Sequence, residues 1–166
     1  MEVIKSSRHS KITGDFAEGL ILYWLSKHGF ECARVDHTGL DLIARNPHTK
    51  ELMGISVKAR SRNIGTEETY IKIERSNVPK LEATCEAFGC VPYFAVVVDA
   101  ATTIRCFLMT SDHLVELSGD REELGLRMRQ RDFERYHADE RICAFQFESE
   151  TRRWWNSLES DGKKDR

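Results

Sequence analysis

Runs of apolar residues bounded by turn formers divide this chain of 166 residues into short strands and two longer helices. Residues 39–45 and 54–60 are both rich in aliphatic and β-branched side chains, which is typical of strands. Residues 46–50 between them are Asn-Pro-His-Thr-Lys, a turn composition that contains proline. The pattern therefore predicts a β-hairpin over residues 39–60.

The predicted hairpin carries two charges among apolar residues. With the turn centred near His48, Asp41 lies opposite Ile55 or Ser56. Because side chains alternate along a strand, Lys58 shares one face with Ser56. An unpaired charge in apolar surroundings is costly. A buried Asp–Lys ion pair or a strand edge that meets solvent would remove that cost, and an active site is the other interpretation.

The first predicted helix brings a third ionisable group toward this hairpin. Thr13 is a favourable N-cap residue and Gly29 a favourable stop, so the helix covers about residues 13–28. Ile21 follows Glu18 by three positions and shares its face. Glu18 then points inward near the start of the helix. It is either an acid that reaches solvent or an ion pair, or an acid that helps to hold a metal or orient a water.

The middle of the chain predicts a strand–helix–strand unit. Ser76 followed by Pro79 is typical of a helix start, and Gly89 ends that helix. A strand before this helix and an apolar strand after it form a β-α-β crossover. The fold class predicted from this order is α/β, with a mixed central sheet flanked by helices. The predicted strands outside the hairpin are residues 30–35, 69–73, 91–98, 102–109 and 142–147.

Composition limits the function classes. A hydrophobic content of 40% with 31% charged residues is typical of a globular protein with a charged surface, and no uncharged run reaches the length of a membrane helix. The five cysteines form no C-x-x-C pair, which favours reduced thiols in the cytoplasm. The net charge of −2 means that any nucleic-acid binding depends on local basic patches. We expect one domain over residues 1–158 and a disordered tail over 159–166.

Three ionisable residues occur in a particular order along the predicted elements. Glu18 lies on the first helix, Asp41 on the second strand, and Lys58 near the end of the following strand. That order resembles the PD-(D/E)xK nuclease superfamily, the restriction-endonuclease-like fold, and is most similar to archaeal Holliday-junction resolvases and their bacterial relatives. The order and spacing of the pieces, rather than any single piece, carry the resemblance. The matching pieces are residues 14–18, 28–30, 39–44, 55–58 and 88–96.

The resemblance implies a site for Mg²⁺ or Mn²⁺. Asp41 would be the central ligand, the backbone carbonyl of Val57 a second, and Glu18 a ligand directly or through water. Lys58 would act beside the attacking water. These side chains, with Ser56, are the implied catalytic residues.

Ser56 departs from the family pattern, which usually has Glu or Gln at this position. Some restriction enzymes similar to this pattern spell the strand S-x-K and draw the missing acid from about a dozen residues later. Glu74 is the nearest candidate here, and Glu68 and Glu82 are less well placed. If no acid takes that place, the fold survives as a binding module.

Basic side chains near the predicted site are candidates for DNA contact. They are Arg60 and Arg62 after the hairpin, and Arg8 and Lys11 in the N-terminal segment; solvated strand ends and a frayed terminus are the other interpretations. His37, in the link before Asp41, is either a loop histidine or a metal ligand or base.

Two further stretches carry chemistry outside the hairpin. The arginine-rich residues 121–137 interleave with acids, which favours a solvated charged face over a DNA track. Trp154 and Trp155 would cover a core edge or a partner surface.

Together these features predict a divalent-metal-dependent DNA endonuclease of the resolvase-like group. Such an enzyme would act as a homodimer because two strands must be cut. The alternative is a catalytically inactive nuclease-like module that binds nucleic acid or a protein partner. A third hypothesis is an interaction domain without affinity for DNA.

Overall fold

The computed structural model describes residues 4–100, 102–119 and 121–149. The helices are α1 (His9–Lys27), α2 (Asn77–Phe88), α3 (Ser111–Ser118) and α4 (Gln130–Ala138). The strands are β1 (Glu31–His37), β2 (Leu40–Arg45), β3 (Leu52–Arg62), β4 (Ile71–Ile73), β5 (Val91–Ala100), β6 (Thr103–Thr110), β7 (Leu124–Leu126) and β8 (Cys143–Glu148). Trp154, Trp155 and the predicted tail over residues 159–166 lie outside the described residues.

The central layer is a six-stranded sheet with the order β1-β2-β3-β5-β6-β8. β3 and β5 pair in parallel, and the other neighbours in this sheet are antiparallel. A parallel pair needs a crossover connection, and α2 lies within the segment that supplies it. The predicted α/β class, with a mixed central sheet flanked by helices, is confirmed.

One predicted strand lies outside the central sheet. Residues 69–73 were expected to provide the strand before the crossover helix, but β4 pairs with β7 in a separate two-stranded sheet. The parallel neighbour of β5 is β3 instead, and their ladder runs from Met53 to Arg62 on β3. Gly125 allows the small sheet to form, since a Cβ there would collide with the carbonyl oxygen of Ile71. The strand was therefore predicted correctly and its partner wrongly.

The predicted hairpin is present as β2 and β3. Leu42 pairs with Ile55, and continuing that register by one residue places Asp41 opposite Ser56. This is one of the two registers expected from the turn composition. The structure extends the second strand in both directions, to Leu52–Arg62.

The first helix begins earlier than its capping pattern suggested. α1 starts at His9, and Thr13 lies inside it, where its hydroxyl donates to the His9 carbonyl oxygen at 2.7 Å. A threonine that bonds back along the helix in this way does not mark its start. The predicted end is correct, because Gly29 follows the helix with a φ of 84°.

The two faces of the sheet bury separate apolar clusters. On one face, Ala95 and Val97 of β5 pack with α1 through Ile21. On the other, Phe94 and Val96 of the same strand belong to the cluster under α2, α3 and α4. β5 is thus buried on both sides, as its unbroken apolar sequence predicted. None of the helices in the described part of the chain has the length and hydropathy needed to span a bilayer.

The arginine-rich segment forms structure that its sequence pattern did not reveal. β7 is too short to show alternation, and α4 is amphipathic, with Phe133 and Tyr136 buried among charged neighbours. α3 begins at Ser111, and the Thr110 hydroxyl accepts the His113 N–H at 3.3 Å as an N-cap.

Candidate active site

Asp41 is held where the β2–β3 ladder ends. The paired residues of β2 are 42–45, and the half-buried Asp41 side chain precedes them. Its Oδ2 accepts the backbone N–H of Val57 at 2.6 Å and the Ser56 hydroxyl at 3.4 Å. The adjacent strand therefore fixes the direction of the carboxylate, and Ser56, which is buried, contacts it directly.

The start of β2 lies directly beneath α2. Gly39 has a φ of 77°, and a Cβ at this position would lie 3.0 Å from the backbone nitrogen of Leu81. The Thr84 hydroxyl donates to the Thr38 carbonyl oxygen at 2.7 Å. Glycine is suited to this position both by its positive φ and by the close approach of the helix. Together these contacts hold α2 against the start of β2, the strand that carries Asp41.

Lys58 lies two residues after Ser56 on β3 and is half-buried. Burial lowers the pKa of Lys58, and the Asp41 carboxylate partly offsets this by raising it. Arg60 and Lys80 lower the pKa of Lys58 further, while Glu74 raises it slightly. The ammonium group is therefore close enough to Asp41 to be attracted by it, in surroundings that otherwise disfavour its charge.

Glu18 approaches the same region from α1. Its side chain is 29% exposed, and its Oε2 lies 3.7 Å from Nη1 of Arg34. Burial raises the pKa of Glu18, and the Asp41 carboxylate raises it further, whereas Arg34 lowers it. Glu18 and Asp41 thus repel each other through space. The Asp41 carboxylate therefore raises the pKa of both Glu18 and Lys58.

A third acid does not join this cluster within the described residues. No group of three His, Cys, Asp or Glu side chains in residues 4–100, 102–119 and 121–149 is arranged to hold a metal ion. Glu74 is exposed and influences Lys58 only weakly. Glu68 lines a cavity with arginines, and Glu82 lines another beside α3. The position left open by Ser56 is therefore not filled by a neighbouring carboxylate.

The arginines that follow Lys58 bind backbone. A guanidinium nitrogen of Arg60 donates to the Lys72 carbonyl oxygen at 3.0 Å, and one of Arg62 donates to the Tyr70 carbonyl oxygen at 3.1 Å. Each arginine therefore tethers the segment that contains β4 to the end of β3.

The N-terminal cations lie near the same end of β3. Lys5 donates from Nζ to the Ser61 carbonyl oxygen at 2.7 Å. Arg8 is exposed and precedes α1, whereas Lys11 pairs with Asp15 along the helix at 3.5 Å. A cavity of about 470 Å³ lies between the two segments. It is lined by Lys5, Ser6, Ser7, His9, Ser10, Thr13, Ala59, Arg60 and Ser61.

His37 lies apart from any acid–base network in the described residues. Its ring is exposed and packs edge-on against Phe88, with 5.6 Å between the ring centroids. Two cations that the sequence patterns did not indicate influence the Asp41 cluster: Arg34 lowers the pKa of Glu18, and Lys80 lowers that of Lys58. Neither is marked by a local pattern, because each reaches the cluster from an element that packs against it.

The architecture is that of the restriction-endonuclease-like fold. A solved structure of a Holliday junction resolvase from the hyperthermophilic archaeon Archaeoglobus fulgidus matches it with a TM-score of 0.53 and 20% sequence identity. The match covers 73% of this chain and 87% of the resolvase chain. At this identity the similarity establishes the fold.

A bacterial homing endonuclease matches less well. Its TM-score is 0.47 at 14% identity, over 77% of this chain and 90% of the endonuclease chain, which is too low to support an inference. No protein-family model matches the sequence, and a search of curated proteins found no significant match.

Proposed function

We propose that this protein is a divalent-metal-dependent DNA endonuclease of the resolvase-like group, which hydrolyses phosphodiester bonds in branched or otherwise structured DNA. The observation that carries the proposal is the cluster in which Asp41 influences both Glu18 and Lys58. Two acids and a lysine, held together at the end of a strand pair, have the chemistry that phosphodiester hydrolysis requires. The shared fold supports the proposal without deciding the activity.

The donor set suits a small, hard cation. Mg²⁺ is commonly held by one or two carboxylates together with waters and phosphate oxygens, so Asp41 and Glu18 suffice as acidic ligands. The carbonyl oxygen of Val57 is the further candidate. Asp41 raises the pKa of the partly buried Glu18, and a divalent cation between the two carboxylates would relieve that repulsion. When bound, Mg²⁺ or Mn²⁺ supplies charge relief on the phosphate and activates a water.

Lys58 and Ser56 take different roles in this proposal. Burial lowers the pKa of Lys58, which makes its ammonium a better proton donor than a solvated lysine and its amine easier to form. Ser56 positions the Asp41 carboxylate through its hydroxyl and is not itself a charged ligand. Glu74 raises the pKa of Lys58 from outside the Asp41 cluster, so it would become a third acidic ligand only if its segment moved toward Asp41.

The DNA would contact the cationic end of β3. Arg8 precedes α1 and Lys11 lies in its first turn, and their neighbours His9 and Ser10 line a cavity together with Arg60 near the end of β3. Arginines that also hold backbone keep donors free for phosphate oxygens, because a guanidinium carries five N–H groups. Cutting both strands of a structured DNA requires two sites, so we propose a homodimer.

The proposal is tested by cleavage assays. The purified chain is incubated with Mg²⁺ or Mn²⁺ and with branched, single-stranded and linear DNA, and products are separated on denaturing gels. We expect cleavage by the wild type and none by Asp41→Asn, whose fold is checked by circular dichroism. Asp112→Asn, an exposed acid at the start of α3, serves as the matched control and should cleave normally. Unchanged cleavage by Asp41→Asn would contradict the site assignment.

The second candidate is a catalytically inactive nuclease-like module that binds nucleic acid or a protein. The observation that favours it is Ser56, together with the lack of a group of three metal-ligating side chains in the part of the chain that the structure describes. This candidate predicts no heat of Mg²⁺ binding by calorimetry and DNA binding that weakens with salt without giving products. Metal binding that disappears in Glu18→Gln would favour the endonuclease.

A further inference from the structure

Three arginines that flank β7 line two adjoining cavities, with Arg121 before the strand and Arg127 and Arg129 between it and α4. Arg121, Arg127 and Arg129 line a cavity of about 330 Å³ together with Tyr70 and Glu68. Arg121 and Arg127 also line the adjoining cavity of about 460 Å³. The three arginines are defined here as the arginine surface. Its side chains are exposed, as the sequence pattern predicted, but they are gathered at one place and not spread over a solvated face.

The positive charge of the arginine surface is not neutralised by an ion pair among the described residues, and three nearby acids have other partners. In the described part of the chain, none of its guanidinium groups lies within ion-pairing distance of a carboxylate. Glu123 pairs with Lys72, Glu116 pairs with Arg141, and the buried Asp132 accepts the backbone N–H at the start of α4. Glu68 is the one acid among the residues that line the smaller cavity. A chain of net charge −2 thus carries a local excess of positive charge at this surface.

An aromatic ring lies within the same surface. The guanidinium carbon of Arg121 lies 5.8 Å from the centroid of the Tyr70 ring, and the Tyr70 hydroxyl donates to the Glu123 carbonyl oxygen at 3.3 Å. The ring is therefore held in place by a hydrogen bond at its far end. Arginines beside an immobilised aromatic side chain are typical of surfaces that bind nucleic acid, where cations contact phosphates and rings contact bases.

The arginine surface is mechanically connected to the candidate active site. Arg62 donates to the Tyr70 carbonyl oxygen and Arg60 to that of Lys72, so two hydrogen bonds tie the end of β3 to the segment that contains β4. Lys58 precedes Arg62 by four residues of extended strand, which corresponds to about 13 Å. A DNA strand bound at Lys58 would therefore reach Tyr70 within a few nucleotides.

We infer that Arg121, Arg127 and Arg129 bind the phosphate backbone of DNA that flanks the cleavage position. This inference rests on the proposed function, since it places the flanking DNA relative to Asp41 and Lys58. The ligand is the phosphodiester backbone, so the surface contributes affinity without sequence preference.

The test measures how the affinity for a fluorescently labelled DNA junction depends on salt, by anisotropy in EDTA so that cleavage does not interfere. The slope of log K against log salt is negative. The triple variant Arg121→Gln, Arg127→Gln, Arg129→Gln should make it less steep by about 2.7, since each phosphate contact contributes about 0.9. The matched control changes Lys27, Arg45 and Arg131 to Gln, which removes the same charge from exposed positions that line neither cavity. If the triple variant does not fold, Arg127→Gln alone should make the slope less steep by about 0.9.

The outcomes separate this inference from the proposed function. An unchanged slope in the folded triple variant, or an equal change in the control, overturns the arginine surface while DNA cleavage by the wild type still stands. A reduced slope in a protein that cleaves no DNA with any metal supports the arginine surface and overturns the endonuclease. A wild type that binds no DNA overturns both.

Discussion

Two clusters in this molecule combine a nitrogen base with carboxylates, and they differ in how their charges are satisfied. Around His113, which is 3% exposed, Nε2 lies 2.8 Å from Asp139, and Arg141 binds Glu116 at 2.7 Å. Around Asp41, by contrast, the base is the half-buried Lys58. Among the described residues, the Lys58 ammonium and the Asp41 carboxylate do not lie within ion-pairing distance.

The direction of the pKa shifts separates the clusters. The backbone N–H of Arg141 lowers the pKa of Asp139, and the Arg141 side chain lowers that of Glu116, so the charged forms are favoured. In the Asp41 cluster, burial raises the pKa of Glu18 and lowers that of Lys58, so the charged forms are disfavoured. From this difference we expect the His113 cluster to have a structural role, whereas the Asp41 cluster holds its charges in surroundings that disfavour them, which is typical of functional sites.

The largest expected effect tests that difference. Replacing Lys58 by Met should reduce DNA cleavage by about 100-fold or more, because it removes a general acid–base group. The same change should raise Tm by a few degrees at neutral pH, since it removes an ammonium that burial disfavours. Gel-based rates and calorimetry measure the two effects, with the exposed Lys27→Met as control. A fall in Tm would mean that Lys58 forms a stabilising ion pair. The Asp41 cluster would then resemble the His113 cluster, and the proposed difference between them would be wrong.

The opposite result is expected at the other cluster. His113→Ala should lower the free energy of unfolding by about 1–3 kcal/mol, because it leaves a cavity where the buried imidazole packs and removes its hydrogen bond to Asp139. DNA cleavage below the melting temperature should not change. Denaturant titration and the cleavage rate measure these quantities, and His137→Ala, an exposed histidine on α4, provides the comparison. A loss of cleavage in folded His113→Ala would assign a catalytic role to the His113 cluster instead.

The smallest effect concerns pH. Because burial and Asp41 raise the pKa of Glu18 above its ordinary 4.5, the folded chain binds this proton more tightly than the unfolded chain. Wild-type stability from this group is therefore complete below pH 4.5 and falls as the pH rises toward the raised pKa.

Glu18→Gln cannot ionise and should avoid that loss. We expect it to exceed the wild type by roughly 1 kcal/mol or less at neutral pH, because the side chain is partly exposed and its lost ion pair with Arg34 contributes little. The two proteins should be equal in acid. Urea titrations across the pH range measure the difference. A variant less stable than wild type at neutral pH would show that Arg34, not Asp41, dominates the environment of Glu18.

Part of the candidate site followed from local pattern. The turn composition and the period of two along a strand placed Asp41 opposite Ser56 and put Lys58 on the same face as Ser56, and the hairpin has this register. Other contacts had no local pattern behind them. Lys80 reaches Lys58 from α2, and Tyr70 reaches the arginines across two strands distant in sequence.

By itself the sequence determined several elements: the hairpin, the helix stops at Gly29 and Gly89, and the apolar β5 that both faces bury. These features depend on backbone propensity and on alternation between neighbours, which act within a few residues. Only the tertiary structure decided that β4 pairs with β7, that α2 lies on Gly39, and that no carboxylate of the described residues replaces the acid expected at Ser56. Those outcomes depend on how side chains from distant elements pack, and packing is settled by the whole core at once.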